Sequence, residues 1–297
     1  MSIWNLGSIN IDHVYRLDHL PCAGETLAAR AYSVGLGGKG ANQSIAAARA
    51  GRLVFHLGAM GPQDGPVVAQ LKEAGICTSN IQRPAGQVTG HAIILLDGDA
   101  ENAIVIHPGA NRAISEDLLA QALAPITAND TLLIQNETNG QIAAARIGRE
   151  AGARVIYSAA PFDLAAVEAV MPHVSILAMN AGEAEALFAA LPGDLPVEGL
   201  LITRGAEGAE YRDLTNGRIW RQPAFPIHPV DTTGAGDTFA GYFATVLDRG
   251  DPVPEALHLA AAAAALQVTR RGAADAIPSM EEVLAFLAGQ ADLAAGG

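Results

Sequence analysis

The sequence predicts an α/β fold: a doubly wound, mainly parallel sheet flanked by helices, with a small antiparallel β lid. Over most of the 297 residues, short apolar runs alternate with segments whose apolar residues recur every third or fourth position. Two stretches, about residues 12–34 and 91–107, interrupt this alternation with pairs of strand-like runs. Because 50% of the residues are hydrophobic and 16% are charged, the composition excludes a disordered or fibrous chain. We expect one domain over residues 1–297.

The predicted core elements follow one another along the chain. The strands are short apolar runs bounded by turn residues: Ser2–Leu6, Leu53–Leu57, Thr131–Ile134, Arg154–Tyr157, Ser175–Leu177 and Leu200–Thr203. The helices show amphipathic spacing: Ala41–Arg49, Ser115–Leu123, Gly140–Glu150, Leu164–Val170 and Gly182–Ala190. Gly51 and Gly152 stand where a helix C-terminus favours glycine. This alternation favours a parallel sheet covered on both faces.

The lid is predicted from four further strand-like runs. They are His13–Leu20, Ala28–Val34, His91–Leu96 and Ala103–His107. The last two flank Asp97-Gly98, which is a hairpin signal. A sheet of this size is too thin to bury a core of its own, so we expect a flap against the main domain.

Charge and cysteine content limit the classes of partner. The chain has 18 basic and 31 acidic residues, a net charge of −13, which disfavours nucleic acid and anionic membranes as partners. Cys22 and Cys77 cannot form a disulfide framework and have no zinc-ligand spacing. The first residues lack the pattern of a signal peptide, and no apolar run approaches the ~18 residues of a membrane span. We therefore expect a cytoplasmic protein.

A first glycine cluster, Gly35–Gln43, leads directly into a predicted helix. It matches GxGxxG formally, but it follows a lid-type strand, and its context is wrong for a dinucleotide fold. It is not a P-loop, because Gly40 follows Lys39 where Ser or Thr would hold magnesium. Its glycines allow backbone amides to approach a ligand, and Lys39 and Asn42 offer donors to hydroxyl groups. The alternative is a glycine-rich turn with a solvated lysine.

A second cluster, Asp231–Gly241, runs into a predicted helix Thr238–Leu247. Consecutive amides over Gly234–Asp237 at a helix N-terminus form an anion hole suited to phosphate. A carboxylate beside such a hole is placed to act as a general base toward a hydroxyl nucleophile, so Asp237 is the candidate base. The alternative is that Asp237 only caps the helix.

Two polar pairs are weaker signals. Asn180 and Glu183 open a predicted helix; Glu183 could hold magnesium near phosphates, and a capping box is the alternative. Asn10 and Asp12 follow the first strand and could meet sugar hydroxyls, although an Asx turn explains them equally well. The alanines Ala260–Ala265 indicate a close-packed helix.

Together these residues resemble the ribokinase family, the PfkB-type carbohydrate kinases, over nearly the whole chain. The resemblance rests on Gly7–His13, Pro21, Gly24–Thr26, Gly37–Gln43, Ala100–Asn102, His107–Asn111, Asp231–Gly241 and Val268–Ala273. It implies a ribokinase-like fold and transfer of the γ-phosphoryl group of ATP to a sugar hydroxymethyl group, with Mg²⁺ and an activating monovalent cation, K⁺. Within the family, the polar residues on the sugar side favour D-ribose as the acceptor, phosphorylated at its 5-hydroxymethyl group. A homodimer formed through the lid is also implied.

The resemblance assigns roles by position. The implied sugar ligands are Asn10, Asp12, Gly38, Lys39, Asn42, Glu137 and Asp237, with lid contacts at Ala92, Ile94 and Ile106. Asp237 is the implied base, and Gly234, Ala235 and Gly236 stabilise the transferred phosphoryl group. The implied nucleotide residues are Asn180, Thr203, Gly205, Ala206, Gly208, Gly236 and Ala261. Glu183 holds Mg²⁺ through water, and the implied K⁺ ligands are Asp231 and carbonyls of Thr233, Gln267, Arg270, Gly272 and Ala276.

Three departures and three rival functions accompany this resemblance. Ala261 replaces a side chain that is often polar, the segment Asn180–Glu183 has lost one acidic group, and Leu191–Gly199 is short. The first rival is a kinase of the same fold that acts on a nucleoside or another free sugar. The second is a non-catalytic sugar-binding protein, against which Asp237 argues. The third is an NAD enzyme, which rests only on the GxGxxG match.

Overall fold

The computed structural model describes residues 1–98 and 101–295, so Ala100 of the family motif and residues 99, 296 and 297 of the predicted domain lie outside the described residues. The strands are β1 Ile3–Leu6, β2 Asn10–Arg16, β3 Ala31–Gly37, β4 Val54–Ala59, β5 Ile76–Cys77, β6 Ile81–Gln82, β7 Gly90–Leu96, β8 Asn102–His107, β9 Thr131–Gln135, β10 Arg154–Ser158, β11 Ile176–Asn180, β12 Gly199–Thr203, β13 Ala209–Asp213 and β14 Ile219–Gln222. The helices are α1 Lys39–Arg49, α2 Gly65–Glu73, α3 Glu116–Leu123, α4 Gln141–Glu150, α5 Leu164–Val170, α6 Ala181–Ala190, α7 Ala235–Asp248, α8 Val253–Val268 and α9 Met280–Ala295.

The main sheet has the order β14-β13-β12-β11-β10-β9-β1-β4-β5, with β6 paired to β4. It is parallel from β5 to β12, and the edge strands β13 and β14 are antiparallel. One hydrophobic cluster lies beneath α1, α7 and α8, and a second lies beneath α3 to α6. The doubly wound, mainly parallel sheet predicted from the alternation is therefore confirmed.

The strand β1 lies at the point where the winding reverses. The chain continues from β1 to β4 on one side of it and returns later to β9 on the other side. Crossovers that leave in opposite directions open a crevice at the carboxyl ends of the two strands, which is where ligands bind in open α/β sheets. Gly7 and Ser8 follow β1 at this crevice, and Asn136 and Glu137 follow β9.

The lid is a separate four-stranded sheet with the order β3-β2-β7-β8. Its two outer pairings are antiparallel as predicted, whereas the central pairing of β2 with β7 is parallel. The parallel direction is possible because the chain between β2 and β7 passes through α1, β4 and α2, so no hairpin fixes the direction of β7. The first two lid strands lie closer to the core than the predicted His13–Leu20 and Ala28–Val34. Strand β2 starts at Asn10, four positions after the end of β1, and β3 ends at Gly37, two positions before the start of α1.

Helix boundaries differ from the prediction mainly at α7. It begins at Ala235, three residues before the predicted Thr238, because Gly234 adopts a positive φ of 77° that turns the chain into the helix. The alanine-rich run lies in α8, where Ala260 to Ala263 are buried in the core. Within residues 1–98 and 101–295, none of the helices is both long and apolar enough to cross a bilayer.

Candidate active site

The crevice beside β1 and β9 continues into a cavity of about 270 Å³. Its lining includes seven of the predicted residues: Lys39, Asn180, Glu183, Thr203, Gly234, Gly236 and Asp237. They come from the starts of α1 and α7, the end of β12 and the β11–α6 junction. A larger cavity of about 430 Å³ lies at the amino-terminal edge of the sheet near Met1, Arg154 and Asp248, and it contains none of the predicted residues. The smaller cavity is therefore the candidate active site.

The N-terminus of α7 leaves backbone donors open to this cavity. Gly234 precedes the helix and provides no side-chain cap, and the first bond of the helix runs from the Thr238 N–H to the Gly234 carbonyl. Among the described residues, the N–H groups of Gly236 and Asp237 find no acceptor, whereas that of Ala235 donates to the Thr232 carbonyl at 3.3 Å. The open donors and the helix dipole favour an anion. Of the predicted amides, Ala235 is the one already partly engaged.

The Asp237 carboxylate does not cap α7. Its side chain is 8% exposed, and each oxygen accepts one hydrogen bond from α1: Oδ2 from Asn42 Nδ2 and Oδ1 from Gln43 Nε2, both at 3.1 Å. The alternative of a purely capping aspartate is therefore wrong. The pKa of Lys39 is raised, chiefly by the nearby Asp237 carboxylate, with smaller contributions from Glu137 and Glu183. The ammonium group is thus stabilised by the negative charge of three carboxylates.

A buried chain of amides behind Asp237 was not predicted. Gln135 Nε2 donates to Gln43 Oε1 at 2.7 Å and to Asn5 Oδ1 at 2.8 Å. Asn5 Nδ2 in turn donates to the Gly40 carbonyl at 2.8 Å. The Gly40 carbonyl can only accept, so Asn5 must direct its NH₂ group to it and its Oδ1 to Gln135. Gln135 therefore donates to Gln43 Oε1, which leaves the NH₂ group of Gln43 directed at Asp237. Gln43 belongs to the first glycine cluster, so the sequence motif could have indicated its role. Asn5 and Gln135 belong to no motif, and the sequence does not indicate theirs.

The predicted polar sugar ligands converge at the junction of the core and the lid. Asn10 is buried, and its Oδ1 accepts a hydrogen bond of 2.8 Å from Asn111 Nδ2, which leaves its own amide donor free for a ligand. Asn111 is fixed in turn by the backbone of Ile9. Asn111 belongs to the segment His107–Asn111 of the family resemblance, which assigns it no role. The Asx-turn alternative for Asn10 and Asp12 is not what the structure has, because both residues lie in β2.

The two carboxylates of this group, Asp12 and Glu137, lie close to each other. The pKa of Asp12 is raised to about 6, mainly by burial and further by the Glu137 carboxylate. Glu137 accepts hydrogen bonds from the Ser8 hydroxyl and from the backbone N–H of Lys39. Gly37 gives the Asp12 carboxylate its space, since a Cβ at Gly37 would overlap it. These groups are hydrogen-bond acceptors of the kind that sugar hydroxyls require.

The predicted apolar lid contacts share one face of the lid with Asp12. Asp12 pairs with Ala92 in register, and Ala92 pairs with Ile106, so the three side chains form a row across β2, β7 and β8. Ile94 lies two residues along β7 and points to the same face. Ile106 is 59% exposed. We call this side, defined by Asp12, Ala92, Ile94 and Ile106, the inner face of the lid.

Asn180 and Glu183 form a capping box and also line the cavity. Asn180 Oδ1 accepts from the Glu183 N–H at 2.9 Å, and Glu183 Oε2 accepts from the Asn180 N–H at 2.8 Å. No group of three or more metal-ligating side chains is found among the described residues. Mg²⁺ usually takes only one or two carboxylates and completes its shell with water and substrate phosphates. A single carboxylate on the cavity wall fits that mode.

Four predicted nucleotide residues do not line the cavity. Gly205 and Ala206 lie in a short 3₁₀ turn after β12, and Gly208 follows it with a positive φ of 101°. Ala261 is 7% exposed and packs within the core cluster of α7 and α8. The other three, Asn180, Thr203 and Gly236, line the cavity, and Asn180 and Thr203 are neighbours in register.

Three of the predicted K⁺ ligands, Asp231, Thr233 and Gly272, come together, but their oxygens already have hydrogen-bond donors. The Thr233 and Gly272 carbonyls accept from Gln267 Nε2 at 3.0 and 3.3 Å. The two oxygens of Asp231 accept from the backbone N–H groups of Thr233 at 2.9 Å and Gly272 at 3.0 Å. The prediction of a cation at this point does not fit the structure, since the Gln267 side chain occupies the space between the carbonyls.

Comparisons with known proteins identify relatives along the whole chain. Residues 2–280 match the model of the pfkB family carbohydrate kinases. The chain is 36% identical to a ribokinase of Haemophilus influenzae, with 95% of this chain and 97% of that protein aligned. It is 35% identical to a ribokinase of Bacillus subtilis, with 94% and 96% aligned. A solved ribokinase of Arabidopsis thaliana, complexed with ribose and ATP, superposes with a TM-score of 0.85 at 28% identity, covering 96% of this chain and 98% of that one.

Proposed function

The chain belongs to the pfkB family of carbohydrate kinases, which transfer phosphoryl groups to alcohol acceptors, and we propose that it is an ATP-dependent ribokinase. The acceptor is the 5-hydroxymethyl group of D-ribose. One observation carries this proposal: the Asp237 carboxylate lies at the open N-terminus of α7 and is hydrogen-bonded to Asn42, one of the sugar-side residues. A base, an anion hole and a set of hydroxyl-binding groups thus meet in one crevice.

The chemistry follows from this arrangement. The oxygen of the sugar 5-hydroxyl attacks the γ-phosphorus of ATP while the Asp237 carboxylate accepts the hydroxyl proton. The bond between the γ-phosphorus and the β,γ-bridging oxygen breaks, and ADP leaves. The open N–H groups of Gly236 and Asp237 stabilise the negative charge on the transferred group. Lys39 adds a positive charge to the same cavity, which it lines together with Asp237 and Glu183.

The sugar is held between core and lid. The amide donor of Asn10 and the carboxylates of Asp12 and Glu137 bind hydroxyls, together with the side chains of Lys39 and Asn42. Gly38 allows the backbone before α1 to lie close to the sugar site. Its φ of 92° favours glycine, and a Cβ there would press on the backbone of Ser8 and Asn10. Ala92, Ile94 and Ile106 cover the ring and exclude water that would otherwise take the phosphoryl group.

We assign ATP to the cavity beside Asn180 and Thr203 and Mg²⁺ to Glu183. When bound, Mg²⁺ neutralises the phosphate oxygens and orients them. The capping box supports the assignment, since it fixes the Glu183 carboxylate on the cavity wall while leaving one of its oxygens without a bond to described residues. The turn Gly205–Gly208 follows Thr203 and is the proposed nucleotide loop; Ala261 has no surface in the cavity to offer a nucleotide. A cytoplasmic location stays a prediction.

A homodimer through the lid completes the proposal. The outer face of the lid, opposite its inner face, carries a row of Val34, His13, Ile93 and Val105, one residue from each strand. Val34 is 55%, Ile93 40% and Val105 66% exposed. An apolar strip of this kind is stabilised when a second copy covers it.

An acceptor panel tests the proposed function. ADP release is measured with ATP, Mg²⁺ and K⁺ and with D-ribose, 2-deoxyribose, fructose, adenosine or fructose 6-phosphate. We expect saturable turnover on D-ribose with the highest kcat/KM of the panel. Turnover on another acceptor alone would keep the mechanism and overturn the sugar assignment, and no turnover on any acceptor would favour a sugar-binding protein.

A further inference from the structure

Gln267 occupies the place where the family resemblance puts a monovalent cation. It lies in the last turn of α8 and has no exposed surface. Its Nε2 lies 3.0 Å from the Thr233 carbonyl, 3.3 Å from that of Gly272 and 2.9 Å from that of Ala273. Two of these three carbonyls belong to the predicted K⁺ ligands.

The orientation of the Gln267 amide is fixed by its partners. The three carbonyls can only accept hydrogen bonds, so the atom that faces them is the nitrogen and not the oxygen. On the other side Oε1 accepts from the Thr238 hydroxyl at 3.3 Å. A cation held by the same carbonyls would require the space that Nε2 fills, because such sites replace the hydration shell of the ion with carbonyl oxygens.

Two further predicted ligands, Asp231 and the Gln267 carbonyl, are engaged as well. Both carboxylate oxygens of Asp231 accept backbone N–H groups, and the backbone carbonyl of Gln267 accepts from the Arg270 N–H at 3.1 Å. The Asp231 carboxylate thus already has an amide donor at each of its oxygens.

Gln267 also reaches the catalytic turn directly. Thr233 precedes Gly234 of the anion hole, and Thr238 follows the candidate base Asp237. A Cβ placed on Gly234 would lie 3.4 Å from Gln267 Nε2, so the amide packs against the turn that presents the open N–H groups. One side chain thus ties the anion hole to the loop at Gly272 and Ala273, which is what a bound cation at this point would do.

We propose that the side-chain amide of Gln267 takes the place of the monovalent cation, so that phosphoryl transfer by this protein needs no K⁺. Gln267 is a positioning residue: it acts on the anion hole and touches no reacting atom. This inference rests on the proposed kinase activity.

The experiment compares the wild type with Gln267→Ala at constant ionic strength, with choline chloride replaced stepwise by KCl. We expect the wild-type kcat on D-ribose to change less than about twofold between the two salts. Gln267→Ala removes the amide and opens the carbonyl cluster, so its kcat in choline chloride falls about tenfold or more. KCl then restores this loss along a saturable curve.

A binding readout separates this from a purely structural role. The melting temperature of Gln267→Ala rises with KCl relative to choline chloride, because K⁺ binds only the folded variant, while that of the wild type does not change. Gln82→Ala is the matched control, since Gln82 also bonds to a backbone segment, at Ser115, far from the anion hole. It should show no response specific to K⁺.

The outcomes distinguish the two proposals. Wild-type activity that depends severalfold on K⁺ overturns the role of Gln267 and leaves the kinase intact. A wild type inactive in every salt with all acceptors overturns the kinase, and the melting curves then still report on the cation site. If Gln267→Ala does not fold, Gln267→Glu serves instead, since a carboxylate facing carbonyls needs a cation and should make stability depend on K⁺.

Discussion

At the residue scale, Asp237 is the group on which turnover depends. Asp237→Asn removes the proton acceptor but keeps the size and most hydrogen bonds of the side chain, so we expect kcat to fall by about 10²–10⁴. The Kd of D-ribose, measured by calorimetry, should change little. Asp248→Asn is the matched control, because Asp248 ends the same helix on the opposite edge of the sheet. A wild-type kcat for Asp237→Asn would show that another group takes the proton.

Asp12 gives the site a specific pH dependence. Its folded pKa of about 6 lies above the ordinary 3.8, because burial and then Glu137 disfavour the charge. The folded state therefore holds a proton that the unfolded state loses, and stability falls as pH rises from about 4 to about 6. Above this window Asp12 is ionised and accepts hydrogen bonds from the sugar.

Two measurements check the role of Asp12. The KM for D-ribose should rise as pH falls through about 6, while the KM for ATP stays level. Asp12→Asn should remove that dependence, weaken ribose binding and raise the free energy of unfolding at pH 7 by up to about 1–2 kcal/mol, a figure reduced for the partial exposure of the side chain. A ribose KM that is flat from pH 5 to 8 in the wild type contradicts this reading.

Residue identities predicted the candidate site well where chemistry needs a specific side chain. Asp237, Lys39, Asn180 and Glu183 were all predicted, and they line one cavity. The role of Gln267 could not be predicted in the same way. Its effect comes from a side-chain amide folded back on carbonyls of another segment, and backbone carbonyls have no sequence signature.

At the scale of elements, the contact between α1 and α7 positions the base. Gly241 lies one turn after Asp237, and a Cβ there would meet the Ala46 side chain and the Gln43 carbonyl at 2.5 and 2.7 Å. The absence of a side chain lets the two helices approach closely enough for Asn42 and Gln43 to reach Asp237.

Gly241→Ala should therefore reduce both stability and turnover. We expect a loss of about 1–3 kcal/mol from overpacking, with a lower kcat in the fraction that remains folded. Gly148→Ala on α4 is the control: its Cβ would press on Leu132 at 2.8 Å, away from the site. Both variants should lower the denaturation midpoint, and only Gly241→Ala should lower kcat per folded molecule. If the two variants had equal kcat values per folded molecule, the distance between α1 and α7 would not determine the position of Asp237.

The sequence predicted the ends of an element well where local hydrophobic spacing and turn residues determine them. It predicted them poorly where contacts between distant segments do. The strand Ser2–Leu6 and the helix Gly140–Glu150 differ from β1 and α4 by one residue at one end. The lid strands shifted because their ends depend on where β1 and α1 hold the chain. The parallel pairing of β2 with β7 joins segments nearly eighty residues apart, a distance at which periodicity carries no information on direction.

At the scale of the whole molecule, the exposed outer face of the lid predicts self-association. Val105→Glu places a charge at the β8 end of the apolar strip, so we expect sedimentation to show a dimer for the wild type and a monomer for the variant. Leu118→Glu is the control, because Leu118 is 50% exposed on α3, outside the lid. A wild-type monomer, or a dimer that survives Val105→Glu, contradicts the proposed interface.

The most direct test of the central claim is the product formed from D-ribose. The protein is incubated with ATP, Mg²⁺, K⁺ and D-ribose, and the phosphorus NMR spectrum is followed. We expect ADP and one new phosphomonoester in equal amounts, coupled to the protons of carbon 5. A phosphomonoester on another carbon would mean that the sugar is held differently by Asn10, Asp12 and Glu137, and a spectrum with no phosphomonoester would contradict the assignment of this protein as a ribokinase.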